Sequence, residues 1–219
     1  MNSVGDSFGW AFKDPAWLGK IVVQGLIAII PIVGWIAAAG WLMLAFENAR
    51  TGRNELPPAG FHLSRGIGIF GVLFIYGLVL SIPGILLGNI GAHTVSTSGG
   101  FSYTTTSPLG SLWSFLVQLF IYFLTPTLIV MVYHRGFGAG FDFANIWKYA
   151  TGNASNSVIA GLVIFVGNII GALGIIACCI GVFFTLVYAI SIQAAVAAWF
   201  ERVQSAPAAP AAPPTAPAA

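Results

Sequence analysis

Charge is what this chain has least of. No Lys, Arg, Asp or Glu occurs from Ile21 to Phe46, between Arg65 and Arg135, or from Tyr149 to Phe200. Charged residues make up 6% of the 219 positions, against roughly 25% in soluble domains. That absence excludes an ordinary water-facing domain. It also removes the usual materials of catalysis. The apolar stretches hold no carboxylate pair, no His cluster and no G-x-S-x-G, so no enzyme is expected. With a net charge of +2 and no basic run, nucleic acid is excluded as a partner. Cysteine is scarce as well. Cys178 and Cys179 are adjacent and could close only a strained ring, so they read as small apolar residues at a helix end. Palmitoylation or metal binding is the minor alternative. No other Cys or His offers zinc-ligand spacing, and no cofactor is expected. Met1 to Trp10 lacks a basic start followed by an apolar run, so the first apolar helix is expected to target the chain itself.

What is present is apolar. The chain is 58% hydrophobic, with a mean hydropathy of +0.90. A crossing helix takes about 20 apolar residues, and the stretches hold material for about five to seven. The first stretch decides the topology. Counted from Pro15 to Asn48 it would be one helix of about 50 Å at 1.5 Å per residue. The hydrocarbon core is only about 30 Å thick. Its centre, Ile30-Pro31-Ile32-Val33-Gly34-Trp35, combines a helix breaker with a residue suited to tight reversal. A hairpin is therefore expected. Lys13 and Lys20 precede the stretch, and Arg50 and Arg53 follow it. Cations mark the cytoplasmic side, and only a hairpin keeps both pairs there.

The remaining spans follow. Ile67 to Asn89 leads outward, Gly91 to Gly110 forms an outer loop, and Ser111 to Tyr133 returns to Arg135. Val158 to about Ile176 leads out, Cys178 to Gly181 turns, and Val182 to Phe200 returns to Arg202. The fold class expected is all-α: a polytopic transmembrane bundle of about six helices as three hairpins (about 15–49, 66–134 and 157–203). Residues 1–204 form one domain, and the Ala/Pro-rich segment 205–219 is a disordered tail. Both termini are cytoplasmic in this arrangement. Pro83 falls inside the outward helix and is expected to kink it.

Each hairpin is approached by an aromatic, weakly polar segment: Phe8 to Lys13 with Trp17, Phe61 to Arg65, and Phe141 to Tyr149. These are expected as short interfacial amphipathic helices. Trp10, Lys13, Trp17, Lys20, Arg65, Trp147 and Lys148 are then the interfacial lipid contacts. Gln24, Asn89, Gln118, Asn168 and Gln193 are uncharged polar residues on predicted helices. They would bond helices together or line a polar path, and Gln24, Gln118 and Gln193 fall one on each hairpin. Glu47 and Arg50, spaced i,i+3, are expected to pair at a helix end. Gly84 with Gly88, and Gly167 with Gly171, are expected to pack helices within the monomer.

Phe12-Lys13-Asp14-Pro15-Ala16-Trp17, the Pro31 to Gly34 break and Glu55-Leu56-Pro57 together resemble the prokaryotic integral-membrane family called domain of unknown function 4013. The resemblance covers about the first third of the chain. It implies a bacterial or archaeal membrane protein, hence the cell membrane, and carries over no catalytic residue. Two functions fit these readings. One is a non-catalytic membrane scaffold that binds lipid, a protein partner or a second copy. The alternative is a small transporter or channel for a neutral or lipid-like solute.

Overall fold

The computed structural model describes residues 3–90, 92–96, 102–105, 107–176 and 181–205. The Cys178-Cys179 turn and the tail after Ser205 lie outside the described residues. Among the described residues the regular elements are helical apart from one small ribbon. A short α1 (Asp6–Gly9) and a 3-10 turn (Ala11–Lys13) lead into α2 (Trp17–Ala28) and α3 (Val33–Arg50). Then come α4 (Leu63–Asn89), β1 (His93–Ser96), β2 (Ser102–Thr105) and α5 (Pro108–Arg135). A second 3-10 turn (Phe137–Phe141), α6 (Phe143–Gly152), α7 (Ala154–Leu173) and α8 (Gly181–Ser205) complete it.

Among the described residues four helices, α4, α5, α7 and α8, are long and apolar enough to cross a membrane. Their outer faces fit that role. Phe74, Leu78, Ile82 and Leu86 of α4 and Leu162, Val166 and Leu173 of α7 are exposed, as lipid-facing side chains must be. The first stretch does break into two short helices where Pro31 stands, but neither is among the four long enough to cross. At 1.5 Å per residue, α2 is about 18 Å long and α3 about 27 Å, each under the roughly 30 Å core. α3 is also largely buried, through Ala37, Ala38, Trp41, Ala45 and Phe46. It fills the interior rather than facing lipid.

The reversal between α2 and α3 is a γ-turn. The Val33 N–H donates to the Pro31 carbonyl at 2.7 Å, and Ile32 between them has φ 64° and ψ −61°. This is the rare, strained hand of that turn. Gly34 follows it because a Cβ there would collide with the Ile27 carbonyl oxygen.

The long helices pair as antiparallel neighbours. Trp113 on α5 donates its indole N–H to the Leu80 carbonyl of α4 at 3.0 Å, and Gly88 and Gly110 meet backbone to backbone. Thr185 on α8 donates to the Gly171 carbonyl of α7 at 2.6 Å, with Gly167 facing Ile192. The small residues thus serve packing inside the monomer. α5 begins cleanly: Pro108 takes the first helical position and the Ser107 hydroxyl accepts from the Gly110 N–H.

Three expectations need correction. The segment expected as a loop from Gly91 to Gly110 contains a ribbon, since β1 and β2 pair antiparallel with His93 opposite Thr105. Its Thr, Val and Tyr residues favour strands. Phe61 to Arg65 forms no separate surface helix; the preceding segment is irregular because Pro57, Pro58 and Gly60 cannot sustain a helix, and α4 starts at Leu63. Glu47 and Arg50 do not pair with each other. Glu47 binds Arg65, and Arg50 binds Glu201 at 2.9 Å. Both carboxylates serve contacts between elements instead.

Candidate functional site

Polar groups gather at one end of the bundle, in two places. The first is built around Asp14, which is only 2% exposed. Its carboxylate accepts from the Ala16 N–H at 2.8 Å, the Lys20 ammonium at 2.7 Å and the Leu56 N–H at 2.8 Å. Lys20 also donates to the Leu56 carbonyl at 2.7 Å. Burial opposes ionisation of Asp14. The hydrogen bonds from Lys20, Ala16 and Leu56, with the Lys20 charge, outweigh it and hold the carboxyl below the usual range.

This node fastens the irregular strap between α3 and α4. The strap has no helix or sheet to satisfy its backbone, so side chains do so. The Trp10 indole donates to the Arg53 carbonyl, Asn48 to the Glu55 carbonyl and the buried Trp41 indole to the Pro57 carbonyl. The Gln24 side-chain oxygen accepts from the Gly60 N–H at 2.9 Å. The approach to α2 and the exit from α3 are thereby bound together, which closes the α2–α3 unit.

The second place surrounds α6, the ten-residue helix of the third approach segment. Asp142 caps it by accepting from the Asn145 N–H at 3.3 Å. The Asn145 side chain and N–H hold the Asp142 carboxyl below its usual range, and Arg135 adds to this. The Tyr76 hydroxyl of α4 donates to the Gly140 carbonyl at 2.9 Å, and its ring stacks near Phe141 and Phe143.

Two cavities flank this helix. One is an apolar groove of about 340 Å³, walled by Ile75 and Val79 of α4, Phe120 and Leu124 of α5, and Phe143 and Trp147 of α6. The other, of about 610 Å³, is polar and lies between α5, α6 and α8, with Arg135, Asn145, Lys148 and Gln204 on its wall. Glu201 borders it too, but its carboxylate is occupied by Arg50 and by His134 at 2.6 Å. Among the described residues no cluster could hold a metal ion.

A family described as "Protein of unknown function (DUF4013)" matches residues 23–180, well over half of the chain. The chain belongs to that family. No curated protein and no solved structure matches it. In this DUF4013 protein the match takes in the Pro31 turn, the Glu55-Leu56-Pro57 strap, α6 and both cavity-lining stretches of α4 and α5, far past the first third of the chain. Phe12 to Trp17 precede it.

The DUF4013 fold does not bring the three glutamines together around one cavity. Gln24 is fully buried against the strap, with its amide nitrogen unpartnered. Gln118 is exposed on α5 and lines a third cavity of about 530 Å³ with Ser81, Asn89 and Thr104, to which neither Gln24 nor Gln193 contributes. Gln193 is half-buried on α8. Asn168 donates to the Ile164 carbonyl of its own helix at 2.8 Å.

The aromatic and cationic residues also divide. Trp10 is 1% exposed and belongs to the core, because its indole is spent on the strap. Trp17 is half-buried, edge-on to Phe12, and Lys20 is held by Asp14. Arg65 is exposed but paired with Glu47. Lys13, Trp147 and Lys148 are exposed. Sequence reasoning missed Asp14 and Glu201 as organising groups. Their rarity was the available signal, since the chain has only six acidic residues.

Proposed function

We propose that this is a non-catalytic protein of a prokaryotic cell membrane that binds lipid along α6. The observation that carries the reading is the apolar groove between α4, α5 and α6. Its size, about 340 Å³, lies in the range of ligand sites. It is walled almost wholly by apolar side chains and opens on a flank whose other residues, such as Phe74 and Leu78, are exposed and apolar. Only an apolar occupant from the bilayer matches such a wall. In this reading six segments enter the membrane as three hairpins and both termini are cytoplasmic. The gathering of Lys20, Arg53 and Arg65 around one cavity with Glu47 and Glu55 supports that orientation.

Native mass spectrometry of protein extracted with its lipids tests the groove. Val79→Trp, which fills it, should remove a retained lipid mass. Retention unchanged in that variant would defeat the proposal. The orientation is tested with single cysteines in a background lacking Cys178 and Cys179. Ile32→Cys and His93→Cys should label from outside, and Lys13→Cys should not. Ile32 is well suited, being 64% exposed.

A transporter for a neutral solute is the second reading. The cavity at Gln118, edged by Ser81, Asn89, Thr104, Thr105 and Ser114, favours it. Proteoliposomes in isotonic glycerol would swell faster than empty vesicles, and Gln118→Leu would slow them.

A further inference from the structure

We infer that the polar cavity behind α6 is a phosphate site for the headgroup of an anionic phospholipid. The inference deepens the lipid-binding reading and rests on it. Its first ground is charge. Lys20, Arg50 and Arg65 each close on a carboxylate. Among the described residues Arg135 and Lys148 close on none, although both line a cavity of about 610 Å³. Asp142 lies within electrostatic reach of Arg135 but is committed to capping α6 through Asn145. Glu201, the carboxylate on the cavity wall, is already paired with Arg50 and in hydrogen-bond contact with His134. The wall therefore keeps a positive excess. Asn145, Gln204 and Ser205 add uncharged polar groups, the set that surrounds phosphate oxygens when Arg and Lys supply the charge.

The second ground is alignment with the apolar groove. α6 has one side in each cavity: Asn145, Lys148 and Tyr149 line the polar one, and Phe143, Ile146 and Trp147 line the apolar one. α5 shows the same continuity. Phe120 and Leu124 line the groove, and Met131 and Arg135 line the polar cavity. Spacings of four, seven and four place these residues on one face of a helix. The distance from Leu124 to Met131 along α5 is about 10 Å. A molecule with an anionic head and apolar chains meets both surfaces in the order α5 presents them. Inorganic phosphate meets only the polar one.

The test uses the full-length protein in detergent, titrated by native mass spectrometry with phosphatidylglycerol and, separately, phosphatidylcholine. Phosphatidylglycerol should bind more tightly. Each cation is expected to contribute about fivefold, so Arg135→Ala with Lys148→Ala should weaken phosphatidylglycerol about 25-fold and phosphatidylcholine, whose phosphate is offset by its own choline cation, far less. Arg135→Lys with Lys148→Arg should restore the preference, and an unchanged melting temperature shows that the variants fold. Equal binding of the two lipids, or a phosphatidylglycerol affinity indifferent to the alanine pair, overturns the inference while leaving lipid binding intact. Retention of neither lipid removes the underlying reading as well. Inorganic phosphate, titrated by calorimetry, separates the two sources. Binding as tight as phosphatidylglycerol, lost in the alanine pair, assigns the cavity to free phosphate and overturns the lipid headgroup.

Discussion

The Asp14 node and the α6 cavity use similar residues to opposite ends. Around Asp14 the charges meet inside the protein: Lys20 finds both a carboxylate and a carbonyl, and the strap's backbone groups find Trp10, Asn48, Trp41 and Gln24. Around α6 the cations Arg135 and Lys148 face a cavity instead. A buried charge with its partners complete is a fastening. Cations that line a cavity without a carboxylate of their own are available to a ligand. Composition alone cannot separate these cases, because both segments read as aromatic residues with scattered cations.

The largest break in the comparison comes from Asp14→Ala. It strands Lys20 and the Leu56 N–H, a loss of about 3–5 kcal/mol for a broken buried pair. Thermal unfolding in detergent and proteolysis of the strap would report it. Acid probes the same group. Because the folded Asp14 carboxyl lies below its usual range, its contribution is present above the unfolded value of about 3.9 and lost as pH falls through the folded one. The melting temperature should therefore drop more steeply below about pH 4 in the native protein than in Asp14→Asn. Next in size is Ile32→Gly at the opposite end of the α2–α3 unit. A strained backbone costs about 1–3 kcal/mol, and glycine relieves it while adding about 0.5–1 kcal/mol of unfolded-chain entropy. A gain of about 1 kcal/mol is expected, read as a higher melting temperature. The smallest effect should come from Arg135→Ala with Lys148→Ala, within about 0.5 kcal/mol of the native stability. A large loss there would mean that the cavity's cations are fastenings too.

Much of the architecture was legible. Proline and glycine at Pro31 and Gly34 announced the break, and the charge gaps outlined α4, α5, α7 and α8 to within a few residues. What remained hidden was whatever depends on contacts between elements. Helical spacing offered Glu47 to Arg50, but each found a partner on another helix. Trp10 looked like an interfacial ring because burial by a strap leaves no mark on local composition. The strap itself could have been foreseen from Pro57 and Pro58, which forbid a surface helix at that point. Of the cavity, Lys148 was legible as a cation on an aromatic approach segment, and Trp147 beside it lines the apolar groove instead. Arg135 was legible only as a marker of the inner boundary, since its place beside α6 comes from tertiary packing.

The Asp14–Leu56 bond also sets a timetable. Its partners are 42 positions apart, and synthesis proceeds at about 5–20 residues per second. Asp14 therefore waits roughly two to eight seconds for Leu56 to be made. The first of the four long helices has not begun by then, since α4 starts at Leu63. The segment up to the strap thus holds both partners of its own fastening before any long span is made. The later helices then assemble against a finished surface, and a chain stalled short of Leu56 would present an unfastened hairpin to quality control.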